Sequence, residues 1–244
     1  MENVRFLPCG DQAVTVEWGS TIDEHINRQV HAFARKVEAL SHPAITEVVP
    51  TYRSATVHYR PEVLSYEELK HLLAPPAQGS AEEAEELPVV EIPVCYGGEY
   101  GPDLLEVAQH CSLTPEEVIA RHTAPTFRIY MLGFTPGFPY LGGMDPSIAA
   151  PRRKEPRIHI PAGSVGIAGS QTGVYPIASP GGWQLIGRTP VRMYDPHRAV
   201  PILPKAGQYI HFYPIDQAEY DRIAALEAGE GYTCRCHARE EDVQ

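Results

Sequence analysis

Eleven of the twenty glycines in this chain fall between Gly133 and Arg188, in GFTPGFPYLGG and, after PRRKEPRIHI, in PAGSVGIAGSQTGVYPIASPGGWQLIGR. Glycine in a helix or strand loses backbone entropy and leaves nothing to pack, so such a density points away from regular structure. It favours places where the chain turns through positive φ or lets another group approach its backbone. Between these glycines stand Tyr140, Gln171, Thr172, Tyr175, Ser179, Trp183 and Arg188, all able to hydrogen-bond or stack. Each glycine taken singly fits a β-turn. The stretch as a whole reads as a site.

The periodicity on either side divides the chain in two. Residues 4–8 and 12–18 read as strands around the turn-forming Gly10 and Asp11. Thr21 with Glu24 matches a capping box, and Ile22, Ile26, Val30, Phe33, Val37 and Leu40 recur at helical spacing. Ile45 to Pro50 and Ala55 to Tyr59 then read as strands, and Ser65-x-x-Glu68 starts a helix through Leu73. The order ββαββα predicts a compact α+β domain over 1–87, with Pro75 to Leu87, rich in proline and glutamate, as an acidic linker. Residues 88–244 form the second domain. Pro88 to Tyr96 reads as a strand, Asp103 begins a helix, and Thr114-Pro-Glu-Glu117 begins another. From Phe127 short apolar runs at even spacing, among them Ile158 to Ile160, Val174 to Ile177 and Val191 to Tyr194, predict a barrel or sandwich, followed by a last helix from Asp216 to Leu226.

Charge narrows the ligand class. The formal net charge of −11 argues against nucleic acid, yet residues 126–214 carry nine Lys or Arg against three acids, so this segment stands at +6 and the remainder at −17. A basic segment in an acidic protein suits a small anionic ligand, or is a solvated basic surface. No apolar run is long enough for a membrane span, and the N-terminus lacks a signal-peptide pattern, so a cytoplasmic protein is expected. Five cysteines without paired CxxC spacing read as free thiols; Cys234, Cys236 and His237 form a CxCH cluster without further ligands nearby, and no metal site is assigned.

Phosphate-loop, dinucleotide, nucleophile-elbow and HExxH motifs are all missing, so any chemistry is expected to run without a self-contained nucleophile or metal, in a site that a partner subunit can complete. What remains is a polar set. Arg157 and His159 alternate on one strand and share a face; the arginine can grip a carboxylate or phosphate, the histidine can pass a proton. His159 fits an ordinary barrel-facing histidine equally well. Gln171, Thr172 and Tyr175 are placed to orient a ligand or to satisfy turn backbone, Ser179 opens the turn before Trp183, which is core or stacking platform, and Arg188 follows. Phe134, Phe138 and Tyr140, stiffened by Pro136 and Pro139, suit a pocket lid or a protein-binding face.

The segments GDQAV (10–14), GFTPGFPYLGG (133–143), the Pro-Arg pair at 151–152 and PAGSVGIAGSQTGVYPIASPGGWQLIGRTP (161–190) resemble the KipI/PxpB family, also called allophanate hydrolase subunit 1. The resemblance spans nearly the whole chain. It implies an α/β sandwich-like N-terminal domain followed by a cyclophilin-like β-barrel. It also implies one component of 5-oxoprolinase, an amide hydrolase that uses ATP, with Mg2+, to open 5-oxo-L-proline to L-glutamate, acting with a KipA/PxpC-type and a PxpA-type subunit. A second role in the family is inhibition of a sporulation histidine kinase. Ile158-His159-Ile160 departs from the valine-rich run expected before PAGSVG. Combining chemistry with resemblance, Arg157, Gln171, Thr172, Tyr175, Ser179, Trp183 and Arg188 are the expected substrate or ATP contacts, and His159 the expected proton carrier.

Overall fold

The computed structural model describes residues 4–78, 87–229 and 231–239. The chain forms two compact units, Met1–Glu85 and Glu86–Gln244. Among the described residues no helix is long and apolar enough to cross a membrane.

In the first unit the strands β1 (Arg5–Pro8), β2 (Ala13–Glu17), β3 (Ile45–Pro50) and β4 (Ser54–Tyr59) form one antiparallel sheet in the order β1-β2-β4-β3. Alternation in β4 buries Ala55, Val57 and Tyr59 on one face. Helix α1 (Glu24–Ala39) lays Val30, Phe33 and Val37 against that core, and α2 (Tyr66–Ala77) adds Leu69 and Leu73. Asn27, fully buried, donates to the carbonyls of Thr51 and Tyr52 and so ties α1 to the β3–β4 turn.

Two local readings change here. The cap of α1 is Asp23, whose carboxylate accepts from the Ile26 amide at 3.1 Å, and not Thr21. A carboxylate complements the positive helix start better than a hydroxyl. Glu24 is taken by Arg28 one turn on, and Ile22 is left outside the helix and exposed. Helix α2 also runs past Leu73 through Pro75 and Pro76, because Ala77 is buried and its carbonyl receives the Trp18 indole N–H. The linker therefore does not begin at Pro75; its residues 79–86 lie outside the described residues.

The second unit opens with β5 (Val89–Tyr96), then α3 (Leu104–Cys111) and α4 (Pro115–Thr123), the latter started by the Thr114/Glu117 capping box. It continues with β6 (Thr126–Leu132), β7 (Pro139–Gly142), β8 (Arg157–Ile160), β9 (Ser164–Ala168), β10 (Gln171–Val174), β11 (Ser179–Gly181) and β12 (Gln184–Arg188). The strand β13 (Tyr209–Ile215), helix α5 (Gln217–Ala228) and the short strand β14 (Cys236–His237) complete it. The main sheet has the order β10-β9-β12-β5-β13-β6-β7, with β14 added on β5. Its end strands β10 and β7 lie against each other, so the sheet nearly closes into a barrel around Ile92, Phe127, Ile167, Ile186 and Phe212. Strands β8 and β11 form a separate two-stranded ribbon. The α+β class is thus observed.

Within this unit Val191 to Tyr194 is not a strand; among the described residues its ladder is a single bridge from Tyr194 to Ile202. Pro190 precedes the segment, and prolines at 201 and 204 break the chain that faces it. Likewise β10 ends at Val174, two residues before Pro176, instead of running on to Ile177.

The glycines also take a different role. Most of the 163–188 stretch is strand, and its glycines make room for close packing. A Cβ on Gly187, at the β12–β5 seam, would stand 2.6 Å from Val94 Cγ1 and 2.9 Å from the Cys95 carbonyl oxygen. Gly187→Ala is accordingly expected to destabilise the second unit by about 1–3 kcal/mol, read as an earlier midpoint in urea unfolding.

Candidate functional site

A buried carboxylate organises the polar groups of the second unit. Asp103 sits at the start of α3, 3% exposed, but does not cap it. Its Oδ1 accepts from Arg157 at 2.7 Å and from Arg153 at 3.0 Å, and its Oδ2 accepts from Arg157 at 2.9 Å and from the Leu185 amide at 2.7 Å. The Asp103 amide in turn donates to the Leu185 carbonyl. One side chain therefore joins α3, the segment before β8, β8 itself and β12. Arg153 also lies 3.8 Å from the Glu106 carboxylate, and Arg152 and Lys154 are exposed alongside.

Around this centre three buried polar atoms have no hydrogen-bond partner: Arg153 Nε, Ser179 Oγ and Gln184 Oε1. Gln184 is 5% exposed and its amide nitrogen donates to the Pro151 carbonyl. Buried polar atoms are nearly always paired, so three on neighbouring segments mark a place where a ligand or water would be held. Tyr175 adjoins them. It is 2% exposed, and burial pushes its hydroxyl up to about 12, against the opposing pull of Arg152, the Trp183 backbone and Arg157. A Cβ on Gly181 would lie 2.5 Å from that hydroxyl.

Several expected contacts prove to be interior. Tyr175 and Trp183 pack edge-on against Phe138, with ring centroids 5.6 Å away in each case, in a cluster with Ile160 and Leu185. Trp183 is core. Of the run from Phe134 to Tyr140, Phe134 and Pro136 are exposed, while Phe138 and Pro139 are buried. Thr172 faces inward and is fully buried: it donates to the Gly166 carbonyl, so it accepts from His122 Nε2 at 2.7 Å, and His122 Nδ1 then accepts from the Tyr96 hydroxyl at 2.8 Å. This chain is satisfied throughout and has nothing left for a ligand. Burial holds His122 down to about 3, so the ring is neutral.

Arg188 is separate from the Asp103 centre. It pairs with Ser164 across the β9–β12 ladder and lies 5.6 Å over the Tyr100 ring, close to Tyr220. Its Nε is buried without a partner. Gln171 is half-buried at the start of β10. His159 is exposed on β8 and makes no hydrogen bond with the described residues. The structure thus brings Tyr175 near Arg157 and against Gly181, two residues beyond Ser179 on β11; His159 lies two residues beyond Arg157 along β8, Thr172 lies inside the barrel, and Arg188 stands over Tyr100. Sequence reasoning missed Asp103, read only as a helix start, and Gln184.

The carboxyltransferase domain family, subdomains C and D, matches residues 4–204. The chain belongs to this family. It is similar, at 47% identity over 226 residues, to the B-designated subunit of 5-oxoprolinase from Bacillus subtilis strain 168, covering 86% of this chain and 92% of that protein. The counterpart of the same designation from Escherichia coli O157:H7 is 40% identical over 88% of this chain and 97% of its own length. The crystal structure of TTHA0988 superposes with a TM-score of 0.75 at 40% identity over 84% of this chain, which spans 40% of that longer protein. These relatives place this member of the carboxyltransferase-domain family in the KipI/PxpB group that its motifs resemble.

Two outcomes follow from the geometry. Asp103→Ala leaves two arginines and a buried amide without their acceptor, and is expected to cost about 3–5 kcal/mol in urea unfolding. His122 acts through pH. Its folded-state value lies far below that of an unfolded histidine, so the unfolded chain binds more protons between the two; stability is full above about pH 6.5 and falls as pH drops towards 3. The expected slope for this group is about 1.4 kcal/mol per pH unit, measured as the difference between wild type and His122→Gln at pH 7, 5.5 and 4.5.

Proposed function

We propose that this chain is the PxpB-type subunit of an ATP-dependent 5-oxoprolinase, opening 5-oxo-L-proline to L-glutamate together with a KipA/PxpC-type and a PxpA-type subunit. The observation that carries this reading is the similarity, 47% and 40% identical over nearly the full length, to two proteins named as a subunit of that enzyme. The Asp103 centre adds chemical support.

A lactam carbonyl is a poor electrophile, and when ATP is bound it would supply a phosphoryl group able to turn the amide oxygen into a leaving group. The groups of this chain fit the anionic part of that chemistry. Arg153 and Arg157 are locked in direction by Asp103, so no reorganisation is needed when negative charge develops on oxygen. The unpaired Ser179 Oγ and Arg153 Nε are potential donors to it. Among the described residues no three His, Cys, Asp or Glu side chains gather as a metal cage, and ligands for Mg2+ are assigned in this reading to a companion subunit.

Coexpression of the three subunits, followed by measurement of 5-oxoproline-dependent ATP hydrolysis and glutamate release, tests the reading. Activity is expected only with all three present, and Arg157→Ala is expected to lower kcat about 100-fold. Arg188→Ala distinguishes the second cationic position by its effect on KM. Absence of activity in every combination would remove the enzyme reading, while full activity of Arg157→Ala would remove the Asp103 centre from it.

A further inference from the structure

At the opposite end of β5 from the β12 seam, a carboxylate is held between two histidines. Glu91 Oε1 lies 2.8 Å from His237 Nε2 and Glu91 Oε2 lies 2.9 Å from His211 Nδ1. The other nitrogen of each ring also faces an oxygen: His211 Nε2 is 2.9 Å from the Thr123 carbonyl, and His237 Nδ1 is 2.8 Å from the Ala238 carbonyl. Carbonyl and carboxylate oxygens only accept, so all four ring nitrogens must donate. A neutral imidazole has one N–H and can make one of its two bonds; an imidazolium makes both. The arrangement is complete only when both rings are charged.

The consequence falls on β14. This strand has two residues, Cys236 and His237, both exposed, and pairs with Val90 and Val89 of β5. Its attachment includes the antiparallel pairing of Cys236 with Val90 and of His237 with Val89, the bond from the Glu91 amide to the Arg235 carbonyl at 2.9 Å and the His237–Glu91 contact, with Arg239 beyond it donating to the Tyr209 hydroxyl and stacking on that ring. Both strand residues are exposed, while Cys234, two residues before Cys236, is buried in the core. His211 and His237 contact the carboxylate, and Tyr213 from β13, Arg235 just before β14 and Cys236 on it line an open groove beside Glu91. Burial pulls the Glu91 carboxyl up, but the two histidines outweigh this and hold it below its ordinary range.

We propose that Glu91, His211 and His237 form a proton-operated latch that holds β14 to β5 most tightly while both imidazoles are charged and loosens it as they lose protons. The sign follows from the donors: two charged rings make all four bonds, a ring without its extra proton makes one of its two, and the attachment is therefore weaker at higher pH. Loosening opens the edge of β5 at Val89 to Glu91 to solvent.

Amide hydrogen exchange on the full chain, as protection factors corrected for intrinsic rates, tests this between pH 6 and pH 8.5. Protection of the Glu91 amide is expected to fall about tenfold over that range, the loss of a charge-assisted bond. Glu91→Gln and His237→Gln are expected to show low protection at both pH values. Flat protection in the wild type, or an unchanged pH response in His237→Gln, would overturn the latch. Imidazole chemical shifts of the wild type give a reading independent of any variant: both rings charged at pH 6 supports it, and a neutral His211 or His237 there overturns it. Restoration of protection at pH 8.5 by zinc, with none by acid, would also overturn it, in favour of a bound cation.

Discussion

The ion pair of Asp103 with Arg153 and Arg157 is the contact on which the polar side of the barrel unit depends. Its three partners come from different elements, and the arginines stand 50 and 54 residues away in sequence. Charges taken this far from water are tolerated only when their hydrogen-bonding capacity is nearly filled. Asp103 meets that condition with three guanidinium bonds and the Leu185 amide. In doing so it fixes where the β8–β11 ribbon lies against α3 and β12. The positions of Tyr175, Ser179 and Gln184 follow from that placement, and with them the three unpaired buried atoms that mark the candidate site.

The glycine-rich stretch shows how one physical property serves two ends. Lack of a side chain permits close approach, and the sequence does not say what approaches. In the folded unit the neighbours are mainly the protein's own atoms: Val94 and Cys95 at Gly187, and Tyr175 at Gly181. Room for a ligand is found instead beside these glycines, where buried polar atoms lack partners. Thr172 and Trp183 belong to the interior for the same reason; tight strands bring them under neighbouring layers.

Helices are the most legible part of the fold. Ser65 with Glu68 and Thr114 with Glu117 form both bonds of a capping box, since these depend only on residues three apart. Asp23 is hidden as a cap because Thr21 fits the same pattern two residues earlier. Strand positions in the barrel are partly legible from spacing, but Val191 and Met193 are apolar because they are buried, in a segment paired only by the bridge at Tyr194. In the candidate site Arg157, Tyr175 and Ser179 are recognisable from residue type. Asp103, Gln184 and the inward-facing His122 are not, because their roles lie in contacts across 82, 33 and 50 residues.

By itself the sequence determined the starts of α2 to α5, the two-part texture of the chain, the concentration of positive charge around the glycine-rich stretch, and the resemblance that names its family. These are properties of neighbouring residues or of composition. Tertiary structure decided which cations are neutralised, which hydroxyls are spent inside the barrel, and which histidines meet a carboxylate. Those outcomes depend on distances between elements, and a charge or hydroxyl changes its role entirely according to whether its partner is water or another buried group.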